Sequence, residues 1–210
     1  MSFSREEIVL ILDRLKTEYP DAECALVHQN LYQLLIAVVL SAQTTDKSVN
    51  KVSGRLFEAY PDPEALAGAG QDDVIEIIKT IGMYKTKSKN IIALAKELTE
   101  RFGGEVPDNY DDLISLPGVG RKTANVVLAV GFGQQRIAVD THVFRVTNRI
   151  GIVKEKDVLK TELALMETLP EERWTEAHHS LIFHGRNCCS ARNPKCETCV
   201  IGDLCLKVGM

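Results

Sequence analysis

Leu116-Pro117-Gly118-Val119-Gly120-Arg121-Lys122-Thr123-Ala124 is the stretch on which the reading of this chain turns. Apolar residues recur at helical spacing before it, from Tyr110 to Leu116, and after it, from Thr123 to Val130. Pro117 to Gly120 is therefore the turn of a helix-hairpin-helix unit. Gly118 and Gly120 are expected to supply backbone conformations closed to residues with a Cβ and to leave the hairpin N–H groups uncovered. Those donors, with the free N–H groups opening the second helix, can hold a phosphate without reading a base. Leu-Pro-Gly-Val-Gly alone also suits an ordinary tight turn, and Arg121 and Lys122 tip the balance towards nucleic acid. Pro117, Gly118, Val119, Gly120 and Arg121 are thus candidate backbone-binding residues.

Lys122 offers chemistry as well as charge. A neutral amine can attack the anomeric carbon of a damaged nucleotide, expel the base and leave an iminium that acidifies the adjacent sugar proton. A positive helix end and the neighbouring Arg121 favour the neutral form. The plainer role for Lys122 is a phosphate clamp, but a glycosylase that used only water would not require a lysine here.

Outward from the hairpin, the pattern is all-α. Helices are expected at Ser4 to Glu18, Leu31 to Leu40, Lys47 to Tyr60, Asp72 to Thr80, Thr86 to Phe102, Tyr110 to Ser115, Arg121 to Gly131, Thr141 to Arg149, Lys156 to Thr168 and Trp174 to Gly185. Ser4 and Glu7 fit a capping box, and Leu31 to Leu40, apolar on nearly every face, suits the middle of a bundle. Ile77 to Tyr84 faintly echoes Leu113 to Gly120, which suggests a second, degenerate hairpin whose turn offers Met83 or Tyr84.

A chain of 210 residues, 45% hydrophobic, can bury one good core or two modest ones. Met1 to Glu7 shows no basic segment leading into an apolar one, and Leu34 to Leu40 is too short to cross a bilayer, so an intracellular chain with no membrane partner is expected. The net charge of −4 argues mildly against nucleic acid. Local distribution argues the other way: from Lys79 to Lys96 no acidic residue interrupts Lys79, Lys85, Lys87, Lys89 and Lys96, and Arg121, Lys122, Arg136, Arg145 and Arg149 surround a lone Asp140.

Cys189, Cys196, Cys199 and Cys205 lie at spacings of six, two and five intervening residues in a segment too polar to build its own core. Four thiolates this close invite one metal centre, and spacing alone leaves zinc and a [4Fe-4S] cluster equally open. Cys188 and Cys24 fall outside the pattern.

The hairpin, Val139-Asp140-Thr141-His142-Val143-Phe144-Arg145, Leu40-Ser41-Ala42-Gln43-Thr44-Thr45-Asp46 and the four-cysteine loop together resemble the endonuclease III family of bacterial DNA glycosylases with lyase activity, from about Glu6 to Cys205. The resemblance implies two helical domains flanking a DNA-binding cleft: a six-helix barrel over residues 22–132, and a second domain from residues 1–21 plus 133–210. It implies one [4Fe-4S] cluster, held by the four cysteines, rather than zinc. A cytoplasmic, nucleoid-associated enzyme is expected, and a monomer is the default, because one asymmetric cleft suffices for one lesion.

The same resemblance assigns roles to single residues. Asp140, by position an N-cap, would point towards the reacting sugar, stabilise charge at the anomeric carbon and manage protons on Lys122. Gln43, otherwise the mark of a helix end, would fill the space left by a flipped nucleotide. Asp46 would line the pocket mouth and Met83 would wedge beside the opposite strand. Arg186 would stand at the entry to the cluster loop, facing phosphate. His142 is expected to hydrogen-bond within the fold, and Arg145 to serve as an ion-pair or phosphate partner. The expected substrates are duplexes with oxidised pyrimidines, such as thymine glycol, or abasic sites. A mismatch-directed glycosylase and a non-catalytic DNA-binding module are the alternatives; adenine-specific relatives usually lack the lysine and carry a further C-terminal domain.

Overall fold

The computed structural model describes residues 3–210, so Met1 and Ser2, the start of the segment without a leader pattern, lie outside the described residues. The chain divides into two compact units, Ala25–Gly133 and the N-terminal segment through Cys24 together with Gln134–Met210. Both are helical, and no strand occurs among the described residues. No described helix is long and apolar enough to cross a membrane.

In the Ala25–Gly133 unit, α2 (Leu31–Leu40) is the core helix, with Tyr32 to Leu40 all buried. Its uniform apolarity allows that only because other helices cover every side. The Asn30 side chain caps it, accepting from the Gln33 N–H. Around it lie α3 (Asp46–Ala59), α4 (Pro63–Ala67), α5 (Gln71–Ile78), α6 (Tyr84–Phe102), α7 (Tyr110–Ser115) and α8 (Arg121–Phe132). α8 packs directly on α2, where Gly131 permits the approach: a Cβ there would stand 2.6 Å from Leu31 Cδ2 and 3.0 Å from Leu34 Cδ2. α4 was not expected from the sequence. Asp62 caps this short helix and Pro63 fills its first turn, where a missing N–H costs nothing.

The other unit holds α1 (Arg5–Glu18), α9 (Thr141–Ile150), α10 (Val158–Thr168) and α11 (Trp174–Asn187). The capping box of α1 is present: Ser4 N–H donates to Glu7 Oε2 at 2.8 Å, and Glu7 N–H donates to Ser4 Oγ at 3.2 Å. Ile8, Ile11, Leu12 and Leu15 form one core with Val143, Val146, Ile150 and Leu181. Fully buried Ile201 ties the C-terminal loop into that core, and Cys189, Cys199 and Cys205 pack against it.

Candidate active site and metal centre

The hairpin joins α7 to α8. Gly118 has φ +79, and a Cβ there would meet Asn90 Cβ at 3.0 Å and Val39 Cγ1 at 3.3 Å, so both conformation and space demand glycine. Gly120 differs from expectation. Its φ of −101 and ψ of 176 are open to any residue, and a Cβ would meet nothing within 4 Å. Its contribution is a bare N-cap: no side-chain hydrogen bond caps α8, as suits a helix end that receives an anion. Gly118→Ala is therefore expected to cost roughly 2 kcal/mol, a melting-temperature drop of several degrees, whereas Gly120→Ala, which exchanges one N-cap residue for a poorer one without strain, costs at most about 1 kcal/mol. Thermal unfolding of the two variants side by side checks this.

Lys122 is exposed in the first turn of α8, and among the described residues neither hydrogen bond nor ion pair ties its ammonium. Arg121 is held beside it: Nη1 donates to Tyr110 Oη at 3.3 Å, and the guanidinium lies 5.5 Å from the Tyr110 ring centroid. One cation is pre-positioned and the other is free to react.

Asp140 caps α9. Its Oδ1 accepts the N–H groups of His142 and Val143, each at 2.8 Å, and its Oδ2 lies 3.2 Å from His142 Nδ1. The carboxylate side chain is only 16% exposed. The cap and the histidine thus fix the direction of one anionic group, and His142 is engaged inside the fold.

Gln43 and Met83 are both exposed and both adopt left-handed backbone, with φ 53 and 58. For residues with side chains this costs on the order of 1 kcal/mol each. The two loops are braced together: Lys87 Nζ donates to Thr44 Oγ1 at 2.6 Å, and Gly82 faces Gln43 O. Lys87, counted above with the basic stretch, is buried, and burial lowers its proton affinity. It precedes Ile91, Leu94 and Leu98 on the inward face of α6, which was the available signal. The echo of the true hairpin is a helix-turn-helix, α5 to α6, but its left-handed residue is Met83 rather than Gly82. Asp46 opens α3, directly after its N-cap Thr45.

The C-terminal loop brings Cys188, Cys189, Cys196, Cys199 and Cys205 around one cavity. Two arginines one turn apart on α9 brace it. Arg145 donates to Gly185 O at 2.9 Å and to Cys189 O at 3.1 Å. Arg149 donates to Ser190 O at 2.6 Å, Ala191 O at 2.8 Å and Cys189 Sγ at 3.5 Å. Arg145 is thus a loop brace rather than the expected ion-pair or phosphate partner, because backbone carbonyls already take its donors. Arg186, Arg192 and Lys195 are exposed around the loop.

Tyr19 Oη lies 3.3 Å from His184 Nδ1, and His184 Nε2 lies 3.7 Å from Cys199 Sγ. Burial and the adjacent Cys188 push the Tyr19 phenol up to about 12, and burial pushes the His184 imidazole down to about 4. The neutral imidazole thus bridges the Tyr19 hydroxyl and the Cys199 sulfur. Among the described residues, the only three ligand atoms within 4.8 Å of one another belong to His184, Cys188 and Cys199. No three of Cys189, Cys196, Cys199 and Cys205 meet that spacing, whereas thiolates on one zinc sit about 3.8 Å apart. A cube of iron and sulfide, which spreads four thiolates over four irons, suits this wider set.

An uncapped hairpin leading into Lys122 in one unit, and a fixed carboxylate and a thiol-lined loop in the other, are the features of a helix-hairpin-helix DNA repair protein with an iron–sulfur domain. Residues 36–171 match the HhH-GPD superfamily base excision DNA repair proteins, and residues 189–205 match the iron–sulfur binding domain of endonuclease III. Endonuclease III of Bacillus subtilis (strain 168) is 49% identical over 95% of this chain and 92% of its own length. A solved structure of a trapped endonuclease III–DNA covalent intermediate, the estranged-adenine complex, superposes with a TM-score of 0.93 at 46% identity, covering 98% of this chain and 97% of that one. A non-covalent endonuclease III–DNA complex gives a TM-score of 0.92 at 46% identity over 98% and 96% of the two chains. The chain belongs to the endonuclease III family: it is a base excision repair DNA glycosylase with abasic-site lyase activity, and its cofactor is a [4Fe-4S] cluster.

Proposed function

We propose that this enzyme excises oxidised pyrimidines, thymine glycol among them, from double-stranded DNA and then cleaves 3′ of the abasic site through a lysine Schiff base. The observation that carries this reading is the untied Lys122 amine at the open end of α8. The trapped covalent DNA complex of a relative 46% identical supports it.

In this reading the Lys122 amine attacks C1′ and the bond from C1′ to the base breaks, the base leaving with its electron pair and taking up a proton. The bond from C1′ to the ring oxygen then opens and gives the iminium. Loss of a C2′ proton drives out the 3′ phosphate with its bonding pair, and water hydrolyses the remaining imine to free the amine. Asp140, held in one direction by the cap at α9, stabilises the positive charge that develops at C1′ and relays protons from the amine.

Phosphate is held by backbone N–H groups from Pro117–Gly120 and the first turn of α8, with Arg121 and Arg186 adding charge. Gln43 fills the gap left by the extruded nucleotide, Met83 wedges beside the opposite strand, and Asp46 borders the pocket. Cys189, Cys196, Cys199 and Cys205 hold the cluster, which supplies a rigid core for the loop that presents Arg186, Arg192 and Lys195. The iron–sulfur domain match opens at Cys189 and closes at Cys205, in support of that ligand set. One such site suffices for one lesion, so the protein acts as a monomer.

Excision assays on duplexes carrying thymine glycol, or a mismatched adenine or thymine, test the substrate class. Release of thymine glycol with strand cleavage is expected, and release of only the mismatched base would replace the assignment. Despite the net charge of −4, affinity should fall on the order of forty-fold from about 50 to about 200 mM salt if three phosphates are neutralised. Fluorescence anisotropy across that range measures it.

A further inference from the structure

The fifth thiol of the loop, Cys188, breaks the ligand spacing, yet its side chain turns inward. It lines the same cavity as the other four, donates to Lys195 O at 3.6 Å just before Cys196, and brings its sulfur within 4.8 Å of both the Cys199 sulfur and a His184 ring nitrogen. Thiolates bound to different irons of a cube are held apart by its body, so two sulfurs this close share one corner. Sequence adjacency would pair Cys188 with Cys189, but Cys189 is turned towards Arg149 and its carbonyl is gripped by Arg145.

We infer that Cys188 is a reserve cluster ligand for the corner held by Cys199, able to take over that iron when the Cys199 sulfur is removed. The exchange breaks one iron–thiolate bond and forms another, with the incoming thiol releasing its proton to solvent, and no change in cluster oxidation state is needed. The loop then tolerates damage at Cys199 that it does not tolerate at Cys196 or Cys205, neither of which belongs to such a close group.

The inference rests on the four-cysteine ligand set, which two controls test separately: wild-type protein should hold a full complement of iron and acid-labile sulfide, and Cys196→Ser should not. The experiment measures iron, sulfide and broad visible absorption in purified Cys199→Ser, Cys189→Ser, and Cys188→Ala/Cys199→Ser proteins. Cys199→Ser is expected to retain at least half of the wild-type cluster, the double variant less than a tenth, and Cys189→Ser as little as Cys196→Ser. Alkylation under native conditions, mapped by mass spectrometry, should label Cys188 in wild-type protein and leave it protected in Cys199→Ser. A Cys199→Ser protein as empty as Cys196→Ser would overturn the proposal. So would a double variant that keeps its cluster, or rescue confined to Cys189→Ser.

Discussion

Lys122→Ala is expected to lose strand cleavage at an abasic site by at least about a thousand-fold, equivalent to about 4 kcal/mol of barrier, while binding the same duplex nearly as tightly. The two effects separate because they come from different atoms. Lys122 is exposed and has no hydrogen-bond or ion-pair partner among the described residues, so its removal leaves no cavity and orphans none of them. The phosphate-holding donors of the hairpin are backbone N–H groups that the substitution leaves in place. Single-turnover cleavage and anisotropy on one oligonucleotide measure both. A Kd raised in proportion to the rate loss would make Lys122 a phosphate clamp instead.

Asp140→Asn is the second large effect. An amide oxygen can accept the His142 and Val143 N–H groups as the carboxylate does, so the variant should stay within about 1 kcal/mol of the parent. Its charge is gone, and base release should fall by roughly a hundred-fold through lost stabilisation at C1′. Asp140→Ala should show that catalytic loss together with about 1–2 kcal/mol of destabilisation from the lost cap. Full excision by the Asn variant would leave Asp140 with a structural role only.

What the amino-acid sequence made legible was whatever depended on local pattern. Uniform apolarity placed α2 in the interior, Ser4 and Glu7 announced their capping box, and the spacing of the four cysteines announced a metal loop. What stayed hidden depended on partners distant in the chain or on the conformation of single residues. Gly118 and Gly120 look equivalent in the motif, but only Gly118 is left-handed and pressed against Asn90 and Val39, which lie far from it in sequence. Arg145 and Arg149 counted as positive surface until their donors were found on loop carbonyls some forty residues away. Lys87 looked like one more surface lysine, although its place on the inward face of α6 already marked it. Charge tallies fail at such positions because a guanidinium or ammonium serves equally well as a donor to buried oxygens. Burial, rather than sequence, decides which use is made.

The covalent step is the heart of the account, and it leaves a mark on one residue. Borohydride added during turnover of a thymine glycol duplex should reduce the imine to a stable protein–DNA adduct, and mass spectrometry of its tryptic peptides should place the sugar remnant on Lys122. An adduct mapped to any other amine, or no adduct while the base is still released, would contradict the assignment of Lys122 as the nucleophile.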